Sequence, residues 1–308
     1  MIANFIITAK QVAVLFLLII TGFALGKGKI LNDAAIKPMN WMILNMITPC
    51  IILNSFQNNP NYGMVKDVLL CFACSFVLLF LFCVLASLVT RKMPEDERPI
   101  YTLSCVLSNC GFVGFPLDTA IIGSLGVFYG SGYVAIMNFF LFTFGYWVFT
   151  HDKASMAPKK LLTCPGLLFT VLAMVFYLLH FQLPGVIKDT LGHISSMCTP
   201  LPMMVVGYYL SQVNLKKSLS NGKNWLCTIL RLVLFPLLSL ALLVLCGIRG
   251  NVLIATVIAA GCPAASSITV LAGQHGEKGQ LAAEINAMQT LLSMFTVPLV
   301  VAVAMMFM

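Results

Sequence analysis

The chain has 308 residues, of which 60% are apolar and only 9% charged, against about 45–50% and about 25% in soluble globular proteins. Such a pool cannot cover a soluble surface, so the composition excludes an ordinary pair of soluble domains and implies a lipid-embedded chain. The net charge of +8 does not indicate nucleic-acid binding, because the basic residues gather in loops on one side of the membrane.

The charges divide the chain into ten long uncharged runs, at residues 11–26, 38–65, 68–90, 99–117, 119–150, 161–187, 190–215, 232–248, 250–276 and 285–308. A hydrocarbon core about 30 Å thick needs a helix of about 20 residues, so ten transmembrane helices are expected. The first run is short, but Lys10 can snorkel and extend the helix back towards Phe5. It lacks the basic start and small-residue cleavage site of a signal peptide, and reads as the first span. Arg231 interrupts an otherwise apolar stretch from Trp225 to Cys246.

Loops 1–2, 3–4, 5–6, 7–8 and 9–10 carry Lys27, Lys29, Lys37, Arg91, Lys92, Arg98, Lys153, Lys159, Lys160, Lys216, Lys217, Lys223 and Lys278; the other side has only Lys66, Lys188 and Arg249. The positive-inside rule makes the first side cytoplasmic and puts both termini outside. The eleven cysteines lie mostly within the apolar runs, as at Cys50, Cys83, Cys105 and Cys246, where they read as small buried hydrophobes. Cys71 and Cys74 form a C-x-x-C that reads as structural on a lipid-embedded helix rather than as a redox pair.

The two halves of the chain resemble each other. Ile36, Lys37, Met46, Thr48 and Pro49 recur as Ile187, Lys188, Met197, Thr199 and Pro200, an offset of 151 (187 − 36). Gly114-Phe-Pro116 recurs as Gly261-Cys-Pro263, an offset of 147 (263 − 116), and each is followed by paired glycines, Gly123/Gly126 and Gly273/Gly276. Five helices per repeat is an odd number, so residues 1–150 and 158–308 are expected to have opposite orientations, the inverted repeat of many secondary transporters.

The runs Asn109 to Pro116, with Gly111 and Gly114, and Ala260 to Ser267, with Gly261 and Pro263, place glycine and proline mid-span. Glycine permits unusual dihedrals and proline removes a donor, so spans four and nine are expected to break there. Freed backbone groups at membrane depth require a protein-lined cavity. The second halves of the two helices would meet near the midplane with their positive ends converging, and Leu117, Asp118, Thr119, Ala264, Ala265 and Ser266 would offer N–H groups to an anion. The carbonyls before each proline would suit a cation. Asn109, two turns before Pro116 on the same face, is placed to reach that cavity. The competing reading is a pair of packing kinks, which the repetition disfavours. Asn138, Asn286, Gln289 and Ser293 either line the cavity or tie helices together by hydrogen bonds. Asp118 is either a first-turn acid on the half-helix dipole or a proton or cation carrier. Arg231 either snorkels towards the inner interface or faces the cavity.

On the motifs Asn109-x4-Gly114-x-Pro116, Arg231-x4-Pro236, Gly247-x-Arg249-Gly250 and Pro263 through Leu271-Ala-Gly-Gln-His-Gly276 to Leu292-Ser293 and Pro298, the chain resembles the auxin efflux carrier family. That family includes plant PIN-type carriers and bacterial malate-type permeases. The resemblance implies an all-α membrane protein of ten transmembrane helices, two inverted five-helix repeats with broken helices 4 and 9 crossing at the substrate site, in an NhaA-like elevator arrangement. It also implies a dimer through helices 1, 2, 6 and 7, Asn109 as a substrate contact, and Pro116 and Pro263 as crossover prolines. The 5–6 loop, about His151 to Lys159, is too short for the regulatory loop of PIN-type carriers and points to the bacterial branch.

The function expected is secondary transport of a small organic anion, malate-like or auxin-like, across the plasma (inner) membrane, without a cofactor and with H⁺ or Na⁺ as the coupling ion. Its partners are the lipid bilayer, the anion and a second copy of the chain. Ser266 and Ser267 join the substrate-binding candidates already named. A channel is the alternative reading, as is an intramembrane enzyme using Cys110, Cys262, His180 and His193; no nucleotide-binding G-x4-G-K-[ST] occurs.

Overall fold

The structure is a computed structural model, and it describes residues 2–58, 64–150, 164–213, 215–274 and 279–307. Lys153, Lys159, Lys160, Gly276, Lys278 and the 5–6 loop lie outside the described residues. The described chain is helical throughout, apart from turns and one isolated backbone bridge. Helix α1 is Ile2–Lys27, α2 Asp33–Gln57, α3 Val65–Thr90, α4 Arg98–Val106, α5 Cys110–Ile122, α6 Ser124–Phe149 and α7 Pro165–Leu178. Then follow α8 Gly185–Ser196, α9 Pro200–Gln212, the short α10 Leu215–Ser220, α11 Gly222–Leu245, α12 Gly250–Gly261, α13 Ser266–Gln274 and α14 Gly279–Ala304.

Five of these helices, α2, α3, α6, α11 and the last, are long and apolar enough to cross a membrane, and α5, α7, α12 and the Ala13–Lys27 part of α1 are shorter apolar helices. Large apolar side chains face outward along them, including Leu17, Leu69, Val77, Phe80, Phe295 and Leu299, as lipid contact requires. Helix α12 is buried from Val252 to Gly261, and correspondingly its sequence is apolar on every face.

Proline accompanies three of the four widened turns among the described residues. Helical turns of the wider i→i+5 type occupy Ile43–Ile47, Cys110–Gly114 and Leu230–Leu234, each ending two residues before a proline, Pro49, Pro116 and Pro236, while a fourth, Leu141–Gly145 in α6, has no proline after it. The pyrrolidine ring displaces the carbonyl one turn earlier, and a wider turn absorbs that displacement without ending the helix. The paired Thr48-Pro49 and Thr199-Pro200 therefore act differently: the first pair continues α2 through a widened turn, while the second opens a new helix, α9.

Helices α1 and α9 pack backbone to backbone. A Cβ added at Gly207 would fall on the Ile19 carbonyl, and one added at Gly22 would fall on the Met204 carbonyl. Small residues at such a seam let helices approach where no apolar driving force distinguishes protein from lipid. Helix α2 packs against α7 and α8, and α6 packs against α3 and α12.

Candidate functional site

The two interrupted helices cross as short extended segments. Helix α4 ends at Val106, Leu107 turns extended (ψ 121°), and α5 begins at Cys110. Helix α12 ends at Gly261, Cys262 turns extended (ψ 150°), and α13 begins at Ser266. Ser108 and Ala264 form an antiparallel bridge: the Asn109 N–H donates to the Pro263 carbonyl (2.7 Å) and the Ala265 N–H donates to the Leu107 carbonyl (2.9 Å). Each break thus satisfies backbone groups of the other, which a solitary break in a buried helix could not do.

This corrects the expected position of the first break. It lies at Leu107–Asn109, ahead of Gly111, Gly114 and Pro116, and the helix runs unbroken from Cys110 through Pro116. Pro116 is therefore not a crossover residue, whereas Pro263 stands within the second crossing segment. The N–H groups freed at the first crossing belong to the start of α5 rather than to Leu117, Asp118 and Thr119.

A cavity of about 490 Å³ opens beside the crossing. Ser108, Asn109, Gly111 and Phe112 line it from one broken helix and Ala265, Ser266, Ser267 and Leu271 from the other. A Cβ at Gly111 would meet nothing within 4 Å, so the first turn of α5 faces open space. The start of α13 lies on the same cavity, so two positive helix ends converge on it. Asn138 from α6 joins them, and Asn40, Asn45 and Thr48 of α2, Tyr146 of α6 and Tyr209 of α9 complete the polar lining. Leu44, Val134, Met137, Leu141 and Phe142 supply an apolar wall, and among the described residues the lining contains no Asp, Glu, Lys, Arg or His.

Hydrogen bonds fix the polar edge. Asn109 Nδ2 and Asn286 Nδ2 both donate to Ser266 Oγ, at 3.4 and 3.5 Å, and Asn40 Nδ2 donates to Tyr209 Oη at 2.7 Å. Ser266 and Tyr209 form the partition between the large cavity and a void of about 50 Å³ lined also by Thr269, Asn286 and Thr290.

Of the expected site residues, Asn109, Gly111, Asn138, Ser266 and Ser267 line the cavity; Gly114, Pro116, Asp118, Arg231, Gly261, Pro263, Asn286 and Gln289 do not. Gln289 accepts the Ala264 N–H through Oε1 (2.9 Å) and donates to Cys227 Sγ (3.4 Å), so it pins the second crossing segment. Asp118 is buried against α6, where a Cβ on Gly130 would lie 2.6 Å from its Oδ2, and its Oδ1 has no hydrogen-bond partner. It stands eight residues into the second half-helix, beyond the first-turn acid position.

Arg231 neither snorkels nor reaches the cavity. It is fully buried; Nε donates to the Cys262 carbonyl (2.9 Å), Nη1 to the Cys105 and Val106 carbonyls (3.3 and 3.1 Å) and Nη2 to the Ala259 carbonyl (3.5 Å). Cys110, Cys262, His180 and His193, the residues of the enzyme alternative, are absent from the lining, and all eleven cysteines are free.

A profile of the membrane transport protein family matches residues 7–161 and 149–301. The chain belongs to this family, that of the auxin efflux carriers. It is similar to an uncharacterized transporter of Methanothermobacter thermautotrophicus, 26% identical over 302 residues, covering 95% of this chain and 97% of the relative. An uncharacterized transporter of Methanocaldococcus jannaschii is 24% identical over 251 residues, 78% of this chain and 80% of that protein. This auxin efflux carrier family member is accordingly a multi-pass membrane transporter.

Proposed function

We propose that this transporter is a secondary active carrier of a small organic anion, with the cavity at the crossing as its substrate site. The observation that carries the reading is the meeting of two half-helix N-termini at one cavity, whose lining side chains among the described residues bear no formal charge. Backbone N–H groups at such ends favour an anion, in the way of a phosphate at a helix start. Among the described residues no basic side chain lines the cavity to neutralise a second carboxylate, and Phe112, Leu141 and Phe142 stand in the wall, so the favoured substrate is a monocarboxylate with an apolar body rather than a dicarboxylate such as malate.

In this reading the chain has ten transmembrane helices in two inverted repeats, residues 1–150 and 158–308, with both termini outside the plasma membrane. Helices α1, α2, α7, α8 and α9 form a dimerising scaffold, and the crossing segments move past it as an elevator. The scaffold's Asn40, Asn45, Thr48 and Tyr209 face the crossing across the cavity, which suits movement of one wall against the other. Asp118 is assigned the coupled proton because it is a buried carboxyl on the broken helix itself with one oxygen unpartnered. Asp118→Asn is expected to flatten the pH dependence of uptake, and unchanged uptake with an unchanged pH profile would remove that assignment.

The test of the site is thermal stabilisation of purified protein by mono- and dicarboxylates and neutral analogues, followed by counterflow of the best ligand in proteoliposomes. A binder at 100 times its dissociation constant stabilises by about 2.7 kcal/mol. The expected result is stabilisation by an apolar monocarboxylate, weakened at least about tenfold in affinity by Asn109→Ala, a loss equivalent to about 1.4 kcal/mol. Stabilisation by neutral solutes alone would overturn the anion reading.

A further inference from the structure

The C-terminal ends of broken helices are the places where a membrane carrier can seat a cation, because their last carbonyls are left without intrahelical donors and carry the negative end of the helix dipole. In this fold both ends come together, α4 with Cys105 and Val106, α12 with Ala259 and the following Cys262. All four of these carbonyls accept from one guanidinium, that of Arg231, which has no exposure to solvent. The planar five-donor fork matches several acceptors at once and keeps its charge under all ordinary conditions. Arg231 is delivered from a third helix, α11, out of the widened turn Leu230–Leu234 that precedes Pro236.

We propose that the Arg231 guanidinium permanently occupies the seat an alkali-metal cation would take between the two broken helices. The carrier therefore works without sodium, and Arg231 is a positioning residue that holds the two half-helix C-termini together. The proposal rests on the reading of the crossing as a transport site. It extends that reading in a definite way: the positive charge at the crossing is built in, the carbonyl face is closed, and the cavity sees only the two N-terminal ends. The coupling ion is then to be sought elsewhere than at the crossing carbonyls.

A ligand-free measurement separates this proposal from the identity of the substrate. The melting midpoint of purified wild-type protein, Arg231→Met and Arg231→Lys is compared in N-methylglucamine chloride, with sodium chloride or millimolar guanidinium chloride added. The wild type is expected to be indifferent to sodium. Arg231→Met, with the carbonyls unpaired, is expected to melt roughly 5 °C or more lower and to recover part of that shift saturably with guanidinium or sodium. Arg231→Lys, a point charge in place of a fork, should fall between the two. A saturable sodium shift in the wild type overturns the proposal, as does an Arg231→Met protein that melts like the wild type or that neither cation restores. If Arg231→Met does not fold, the wild-type sodium response and an added-guanidinium rescue of Arg231→Lys decide the matter in the same terms. Failure of every organic acid to bind, with these cation responses intact, would count against the anion reading alone.

Discussion

The two crossing segments do the same job with different chemistry. The second, Cys262 to Ala265, contains its proline, and the residue before it is extended (ψ 150°), the conformation a following proline favours. The first, Leu107 to Asn109, has neither glycine nor proline, and the proline that follows it by seven positions sits in a continuous helix. Local stereochemistry therefore explains the second interruption, whereas the first is held by its partner, through the bonds from Asn109 N–H to Pro263 and from Ala265 N–H to Leu107. The two halves also diverge beyond the prolines, where Asp118 occupies the position that Ala265 holds in the other half, 147 residues on (265 − 118).

Substitutions can sharpen this contrast. The largest effect is expected at Gln289→Leu, which removes the acceptor of the buried Ala264 N–H; an unsatisfied buried donor costs about 1–3 kcal/mol, and chemical denaturation in detergent would measure it. Pro263→Ala is expected to cost less, about 0.4–1 kcal/mol, because the lost constraint acts mainly through the unfolded chain. Pro116→Ala should have the smallest effect, within about 0.5 kcal/mol, since the widened turn Cys110–Gly114 already accommodates the ring. Equal losses at Pro116 and Pro263 would show that proline dictates both interruptions and would break the comparison.

Much of the fold was legible because it depends on composition and short-range pattern. The apolar runs form helices, five of them of membrane-crossing length, and Pro263 lies in the second interruption, whereas the first opens ahead of its glycine-proline box; Asn109 and Ser266 were found because they flank those boxes. Asn40, Asn45, Thr48, Tyr146 and Tyr209 were missed. Nothing in their local sequence distinguishes a cavity-facing amide or phenol from one that ties helices together, and α2 and α9 show no break in their cavity-lining parts. Asn286 and Gln289 illustrate the same ambiguity from the other side, since both were candidates for the cavity and both instead hold the second broken helix.

Arg231 marks the boundary most sharply. A buried arginine in an apolar stretch was conspicuous, since its cost in lipid demands a partner, but its partners are carbonyls 28 to 31 positions ahead and 125 to 126 behind. The sequence by itself determined that the chain is helical and lipid-embedded, because hydropathy and proline act over a turn or two of backbone. Only the tertiary structure decided where the first helix opens, which polar groups meet at the cavity and what the buried charge holds. Those outcomes depend on hydrogen-bond partners brought together from some 150 residues apart, and no local property of either partner encodes the pairing.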